Sequence, residues 1–376
     1  MNTRTPFLLL GLLAAPAYAH HSFAPHFDID KPVEISGKVT EYEAQNPHSY
    51  LHIAAVDENG KTQEYVCESH GVTVLARLGL TSDLLKPGTE VRVDGSLSRH
   101  SKYMCFFNNV YFPDGRAFNV NGPRAAQATA ALPPRKDIFG TWMLTPGAPD
   151  PRRANTSRPQ PMSNFLTAAG QAAVAAYDPF KDDPTFRCDP VAVRRVWGAP
   201  TTPLSITREG NNVVLRHEWM DVVRTVPLDP RTRPTAGPRT SLGSSVGHFD
   251  GDTLVIETAN YSAGVLNQYV EEPGKPTRGL LHSDKLTSVE RLSFDAARQR
   301  LVVEVELKDP EFFTRDFDVA HMEYAPSDLT IEPFNCSPEG VTGTIRRSPI
   351  LRSSFLARFS ALRSFGVSNG FFLPSF

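Results

Sequence analysis

Short segments of alternating apolar and polar residues, separated by turn residues, are the sequence feature that most constrains the fold. In the first third of the chain, apolar residues recur at every second position, as in Val33, Ile35 and Val39. This period is typical of half-buried β-strands, and no long segment shows helical periodicity. The pairs Asn59-Gly60 and Asp114-Gly115 fit tight hairpin turns. The pattern therefore predicts a mainly β fold with few short helices.

Residues 20–120 contain enough of these segments for one small barrel. Five or six strands would surround a single short helix over Thr73–Leu80, and Gly37 supplies a bend of the kind that barrels use at corners. This arrangement suits an oligonucleotide/oligosaccharide-binding (OB) type of barrel. The strand segments are Val33–Val39, Tyr50–Ile53, Gln63–Cys67, Pro87–Gly95, Met104–Phe112 and Ala117–Val120.

Residues 121–136 are rich in Ala, Pro and Gln, which predicts a linker. Residues 137–340 predict a second domain, an antiparallel β barrel or sandwich with one helix near its start, around Phe165–Tyr177. Its strand segments are Leu204–Thr207, Val213–His217, Val222–Val226, Thr253–Thr258, Leu286–Leu292 and Leu301–Leu307.

The first 19 residues predict a cleavable signal peptide. Arg4 supplies the positive charge, Phe7–Ala15 the apolar region and Ala17-Tyr18-Ala19 the cleavage site, so that His20 becomes the first residue of the mature chain. The apolar run is shorter than the roughly 20 residues that a transmembrane helix needs. We expect a periplasmic or secreted protein without a transmembrane segment, with a retained N-terminal anchor as the alternative.

Residues 341–376 form a basic tail that contains five arginines and no acidic residue. Phe355, Phe359 and Leu362 recur at helical spacing, so an amphipathic helix on an anionic membrane surface is one interpretation. A disordered terminus is the other.

Four cysteines accompany the export signal, with Cys67 and Cys105 in the first half and Cys188 and Cys336 in the second. Four cysteines allow three pairings, and pairing within each half is the simplest for a protein of an oxidising compartment. Buried free thiols are the alternative. The absence of a Cys-x-x-Cys sequence argues against thiol redox catalysis.

The composition and the motifs exclude several functional classes. The 376 residues carry a net charge of −2, which argues against nucleic-acid binding. The sequence lacks Gly-x-Ser-x-Gly, phosphate-loop, His-Glu-x-x-His and dinucleotide-binding motifs. No motif therefore assigns a reaction.

Several short motifs resemble known families. The first half, with Ala19-His20-His21-Ser22-Phe23 and Asn46-Pro47-His48, resembles an exported bacterial family of unknown function. The second half, with Arg187-Cys188 and the segment Gly247–Val255, resembles an uncharacterised companion domain, although it has Phe249-Asp250-Gly251-Asp252 where that family usually has Trp-Glu-Gly-Asp. Gly140-x-Trp142 is similar to the lipocalin signature. These resemblances imply a fold and an exported location but no known activity.

Histidines predict a metal site in the first domain. A terminal His20 offers its amine and its imidazole together, and a further imidazole would complete a nitrogen set that suits Cu(II). The candidate ligands are His20, His21, His48 and His70, with His26 and His52 in the same domain. The alternative is a weakly ordered N-terminus without a metal.

Polar residues of the second domain are weaker candidates for catalysis. His282 would act as a base and Arg291 would hold an anionic group, together with Asp284 and Glu290. Asp250, Asp252 and Glu257 lie on a neighbouring predicted hairpin. The alternative is an ordinary turn and an ordinary cross-strand pair.

Three functional hypotheses follow. The first is an exported binding protein whose ligand is copper or a small apolar molecule, and the second is an enzyme that uses the polar residues of the second domain. The third is a structural partner of other envelope proteins. An apolar cavity behind Trp142, converging ionisable groups, or a large exposed apolar patch would distinguish them.

Overall fold

The computed structural model describes residues 26–120, 132–145, 162–178, 181–199, 201–229, 231, 234, 237–270 and 277–338. The predicted signal peptide, His20, His21, most of the predicted linker and the basic tail lie outside these residues. The described chain forms two large β-sheets, each with its own apolar core, and three short α-helices. The prediction of a mainly β protein is confirmed. The domain boundaries stay predictions.

The first sheet has the strand connections of an OB-type barrel, which confirms that prediction. Its order is β3-β2-β1-β4-β5-β6, and a parallel pairing of β3 with β5 closes it. Helix α1 (Val72–Arg77) follows β3, within two residues of the predicted helix start. The strands are β1 (Phe27–Glu43), β2 (His48–Val56), β3 (Thr62–His70), β4 (Glu90–Ser98), β5 (Met104–Tyr111) and β6 (Ala117–Asn119).

A disulfide lies at the closure of this barrel. Cys67 of β3 and Cys105 of β5 are Cα partners in the parallel pairing, and their sulfurs are bonded. Both residues are fully buried beside Leu51 and Phe107. The bond therefore joins the two strands whose pairing closes the sheet, and the predicted pairing within the first half is confirmed.

The second sheet is a nearly closed antiparallel barrel of nine strands. Its order is β10-β9-β8-β7-β17-β16-β15-β12-β11, so every neighbouring pair except β7–β17 and β12–β15 is consecutive along the chain. A bridge between Leu228 and Gly247 connects the two edges. The strands are β7 (Gly140–Leu144), β8 (Leu204–Glu209), β9 (Asn212–His217), β10 (Val222–Pro227), β11 (Ser244–Asp250), β12 (Thr253–Ala259), β13 (Gly264–Val270), β14 (Thr277–His282), β15 (Thr287–Asp295), β16 (Arg300–Lys308) and β17 (Phe317–Pro326).

The hairpin β13–β14 is a separate two-stranded sheet inserted between β12 and β15. Apart from this insertion, the barrel has the up-and-down strand order that lipocalins also use. The barrel prediction is therefore confirmed, with nine strands in the main sheet.

Two helices accompany the second barrel. Helix α2 (Ala168–Ala176) begins after Thr167, whose hydroxyl accepts a hydrogen bond from the Gly170 amide at 3.1 Å. Helix α3 (Val193–Trp197) contributes Val193 and Trp197 to the barrel core, where both are fully buried. Because α3 fills part of the interior, the barrel is packed by side chains from a helix as well as from its strands.

A connector of residues 327–338 follows β17 and reaches the first barrel. Cys336 forms a disulfide with Cys188, which confirms the predicted pairing within the second half. The side-chain amide of Asn46, from the first barrel, donates to the Phe334 carbonyl at 2.5 Å, and the Ser337 amide donates to the Asn46 carbonyl at 2.7 Å. The connector therefore ties the two barrels together beside a disulfide.

No helix in the described part of the chain is both long enough and apolar enough to cross a bilayer.

Candidate functional site

The outer surface of β1, β2 and β3 concentrates histidines and glutamates. Side chains of a strand alternate between its two faces, and Leu51 and Ile53 are fully buried in the barrel core. The even-numbered residues of β2 therefore lie on the outer face. We call this surface the histidine–glutamate face; its members are Glu41, Glu43, His48, His52, Glu64, Glu68 and His70.

A β-bulge places two of these glutamates. Val39 packs in the core opposite Ile53, and simple alternation would direct Glu41 inward as well. The register shifts by one residue at Thr40, so that Glu41 lies opposite His52. After the bulge Tyr42 packs against the core, and Glu41 and Glu43 lie outside.

His52 is the most enclosed histidine of this face, with 4% of its surface exposed. Its Nε2 lies 2.9 Å from Glu43 Oε1, and its Nδ1 lies 3.9 Å from Glu64 Oε2. Thr40 donates a hydrogen bond to Glu64 at 3.2 Å. Both ring nitrogens of His52 therefore face carboxylates.

Ligand atoms of three residues on this face converge. One oxygen each of Glu41 and Glu43 and a ring nitrogen of His52 lie within 4.8 Å of one another. Among the residues that the structure describes, this is the one group of three or more potential metal ligands at that spacing. The metal prediction had named His52 only as a neighbour in the same domain.

His48 and His70, two of the predicted copper ligands, are direct cross-strand partners. They begin β2 and end β3, and their Cα atoms are paired in the antiparallel register. The Nδ1 of His48 lies 3.3 Å from Glu68 Oε1, and the His70 ring contacts the edge of Phe106 at 5.8 Å between centroids. Cβ atoms of such a pair are about 5 Å apart, so both imidazoles are able to approach one ligand.

A row of rings leads from this pair to the start of the described chain. Phe106 contacts Phe27 at 5.7 Å between centroids, and Phe27 contacts His26 at 6.2 Å. The His26 ring also lies 6.0 Å from that of His100. His26, the first described residue, therefore lies near the end of the barrel that carries His70.

A groove of about 880 Å³ opens toward the other end of β2 and β3, between Val56 and Arg92. The Arg92 guanidinium lies 3.8 Å from the centroid of the Tyr111 ring. The three cationic side chains that line the groove each have an acidic partner, in the pairs Lys38–Glu90, Arg92–Glu34 and Arg116–Asp114. The charge of the groove therefore does not favour an anionic ligand.

The interior of the second barrel contains a buried ion pair. Both Nη atoms of Arg224 lie 2.7 Å from the Glu290 carboxylate, and the Trp197 indole N–H donates to Glu290 Oε2 at 2.5 Å. Thr258 donates to the same carboxylate at 3.4 Å. Glu290, one of the predicted catalytic candidates, is fully buried and satisfied by these donors.

The other predicted catalytic candidates do not join Glu290. Arg291 is the next residue along β15 and is exposed, because neighbouring residues of a strand point to opposite faces. Asp284 is on the surface beside Arg239 and Lys285. His282 is buried, and its Nδ1 lies 3.0 Å from the Ser283 carbonyl. Burial lowers the pKa of His282, which favours its neutral form.

The neighbouring hairpin contributes no ionisable group to this interior. Asp250 and Asp252 are exposed at the turn between β11 and β12. Glu257 lies between the buried residues Ile256 and Thr258. It is the Thr258 side chain that reaches Glu290. The arrangement brings together an ion pair rather than a nucleophile, a base and an orienting group.

His217 is a polar residue of this interior that the sequence analysis did not identify. Its Nε2 has no hydrogen-bond partner among the described residues, and its ring packs against Trp197 at 5.0 Å between centroids. Burial, with a smaller effect from Arg224, lowers the pKa of His217 to about 3. His217 therefore stays neutral and is packed as an aromatic ring.

Trp142, at the lipocalin-like Gly140-x-Trp142, is fully buried in the same core. Its indole N–H donates to the Ile138 carbonyl at 2.9 Å, and its ring packs against Phe294. Side chains of the strands and of α3 surround it. These contacts give no support to an apolar ligand bound behind Trp142.

Comparison with known proteins yields one family. The model of a family of unknown function (DUF6152) matches residues 9–105, about a quarter of the chain, and the rest of the chain has no family match. The match contains β1 to β4 and the whole histidine–glutamate face. It confirms the resemblance of the first half to a family of unknown function. No protein with a curated function matches the chain.

Proposed function

We propose that the protein is an exported copper-binding protein whose Cu(II) site combines the mature N-terminus with the histidine pair of the first barrel. The ligands are the His20 amine and imidazole together with an imidazole from His48 or His70. The single observation that carries this proposal is the direct cross-strand pairing of His48 and His70 at one end of the barrel. Two imidazoles on neighbouring strands offer a rigid support for a metal held by a terminal residue.

The segment from His20 to His26 is long enough to connect His26 with this pair. His20 precedes His26 by six residues, which extend over at most about 20 Å. The ring centroids from His26 through Phe27 and Phe106 to His70 are successively 6.2, 5.7 and 5.8 Å apart. The whole path between the His26 and His70 rings is therefore shorter than the six-residue segment.

The ligand chemistry favours copper. A terminal amine and imidazoles form a nitrogen set that Cu(II) prefers, and Cu(II) binds nitrogen sites more tightly than the other divalent first-row ions do. The amine must lose its proton, and its ordinary pKa of about 7.7–8.0 makes this accessible near neutral pH. Two disulfides fit a protein that folds outside the reducing cytosol. Periplasmic or secreted copper handling is consistent with these features.

Titration calorimetry with Cu(II) on the chain that begins at His20 tests the proposal. We expect one tight site, with a dissociation constant below about 1 μM, that the double variant His48→Ala/His70→Ala weakens at least tenfold. His100→Ala is the matched control, because its ring lies beside His26 but is not a proposed ligand. Equal binding by the wild type and the double variant would overturn the proposal, as would wild-type binding weaker than micromolar.

A further inference from the structure

We propose that Glu41, Glu43 and His52 form a second metal site, separate from the copper site, which takes a divalent transition-metal ion such as Zn²⁺. One imidazole nitrogen and two carboxylate oxygens are common zinc ligands, and three protein ligands leave a fourth position for water. Soft sulfur ligands that would select Cu(I) are absent from the group. This site goes beyond the proposed function, because it uses none of the copper ligands.

The spacing of the ligand atoms suits one ion. Two ligands on a tetrahedral zinc at about 2.1 Å are about 3.4 Å from each other. The three ligand atoms here lie within 4.8 Å, and the closest described pair, His52 Nε2 and Glu43 Oε1, lies at 2.9 Å. The side chain of Glu41 is exposed and therefore free to adjust its rotamer. A small rearrangement would bring all three atoms to zinc distance.

A second observation supports a metal on His52. Metal-bound histidines donate their other ring N–H to an outer carboxylate, which fixes the tautomer. Here Nε2 lies 2.9 Å from Oε1 of the ligand glutamate Glu43, and Nδ1 lies 3.9 Å from Glu64 Oε2. Thr40, the bulge residue, holds Glu64 through a hydrogen bond of 3.2 Å. With Zn²⁺ on Nε2, the ring proton lies on Nδ1. A small rotation of the Glu64 side chain would then let its carboxylate accept a hydrogen bond from this N–H.

The second barrel provides a comparison within the same chain. His321 is also enclosed by two glutamates, with Nδ1 3.6 Å from Glu304 Oε1 and Nε2 3.5 Å from Glu323 Oε1. These carboxylates face different ring nitrogens, and Glu323 is also bound by Arg298 at 2.7 Å. Among the described residues, ligand atoms of Glu41, Glu43 and His52 converge within 4.8 Å of one another, whereas those of His321 and its two glutamates do not form such a group.

The two proposed metal sites are far enough apart to be independent. His48 and His52 lie on the same face of β2, four residues apart, which corresponds to about 13 Å along a strand. This distance excludes a single ion shared by both imidazoles. Loss of the copper ligands therefore leaves the zinc ligands in place.

Zn²⁺ titration of the chain that begins at His20, with zinc as the sole metal, tests this second site. We expect Glu41→Gln to weaken the binding of one Zn²⁺ at least tenfold, and His52→Gln to weaken it further. Glu64→Gln should weaken it by about 10- to 100-fold through the outer contact. Because Glu41 is exposed, its variant keeps the fold, and Glu90→Gln on the exposed Lys38–Glu90 pair is the matched control. His321→Gln should leave zinc binding unchanged.

The double variant His48→Ala/His70→Ala separates the two proposals. It should retain the Glu41-dependent zinc site even if it loses copper binding. Co²⁺ bound in place of zinc should give visible absorption bands of a four-coordinate ion in the wild type and lose them in Glu41→Gln. Zinc binding that is unaffected by both Glu41→Gln and His52→Gln would overturn the second site, as would the absence of any zinc binding tighter than about 10 μM.

Discussion

Arg77 of the first barrel and Glu218 of the second form a two-point ion pair, with Nη1–Oε1 and Nη2–Oε2 distances of 2.6 and 2.5 Å. Glu218 is fully buried, and its Oε2 also accepts a hydrogen bond from the Glu332 amide of the connector at 3.0 Å. Arg77 is the last residue of α1. One carboxylate therefore joins the helix of the first barrel, the second barrel and the connector.

Removing Arg77 should destabilise the protein strongly. In Arg77→Met the Glu218 carboxylate stays buried without its cation, which costs about 3–5 kcal/mol of unfolding free energy. The double variant Arg77→Met/Glu218→Gln should cost less than the sum of the two single variants, because no unpaired charge remains buried. Chemical denaturation measures both.

The exposed pair Arg92–Glu34 is the control, with side chains 41% and 60% exposed. Arg92→Met should cost less than about 1 kcal/mol. Equal losses for Arg77→Met and Arg92→Met would contradict the structural role of the buried pair.

The connector should loosen when its disulfide is removed. In the variant Cys188→Ser/Cys336→Ser, the connector is no longer covalently attached beside the Phe334 and Ser337 amides. Their hydrogen-bond partners, the Asp221 carboxylate and the Asn46 carbonyl, remain in place. We expect a loss of about 2–5 kcal/mol in stability and faster hydrogen exchange at these two amides. Hydrogen-exchange mass spectrometry of the peptide around residues 327–338 measures this.

Cys67→Ser/Cys105→Ser serves as the comparison for the connector. It removes a disulfide of the first barrel, so it should lower stability without a selective increase of exchange in the connector. Unchanged exchange of the connector after loss of Cys188–Cys336 would mean that its hydrogen bonds alone hold it.

Buried His217 should make the stability of the protein depend on pH. Its pKa is lowered from 6.5 to about 3 by burial and then by Arg224, so the unfolded chain binds a proton between these values while the folded chain does not. Stability from this group is therefore complete above pH 6.5 and decreases as pH falls toward 3, by about 1.4 kcal/mol per pH unit.

Thermal or urea unfolding of His217→Gln between pH 4 and 6 tests this. The variant should be less stable at neutral pH, because Gln replaces a ring packed on Trp197, but its stability should decrease less steeply with acid. His100→Gln, at an exposed position, is the control. A variant with the same pH slope as the wild type would contradict a neutral, buried His217.

Much of the fold was predictable because β-strands leave a local signature. The short apolar segments Val213–His217 and Leu301–Leu307 identified β9 and β16, and the Asn59-Gly60 turn identified the β2–β3 hairpin. No strand segment was predicted for β7, β11, β17 or the β13–β14 hairpin, although Asp250 and Asp252 were placed on a predicted hairpin. β11 contains Gly247 and His248 within its span, which weaken the alternating pattern.

The candidate site was predictable only in part. His48 and His52 are both even-numbered residues of β2, so the sequence alone places them on the same face of the strand. The bulge at Thr40, which directs Glu41 and Glu43 to that face, has no sequence signal. Glu290 was grouped with its neighbour Arg291, whereas its ionic partner is Arg224, 66 residues earlier. Such contacts arise when the barrel closes and are not encoded locally.

In the proposed copper site, cleavage before His20 would supply the terminal amine, and adding one residue before His20 would remove that amine from the site. Native mass spectrometry and calorimetry with Cu(II) should be performed on the chain that begins at His20 and on a chain extended by one alanine before it. We expect one tightly bound copper in the first chain and at least tenfold weaker binding in the second, because the extension removes the amine adjacent to the imidazole. Equal copper binding by both chains would contradict the proposed site.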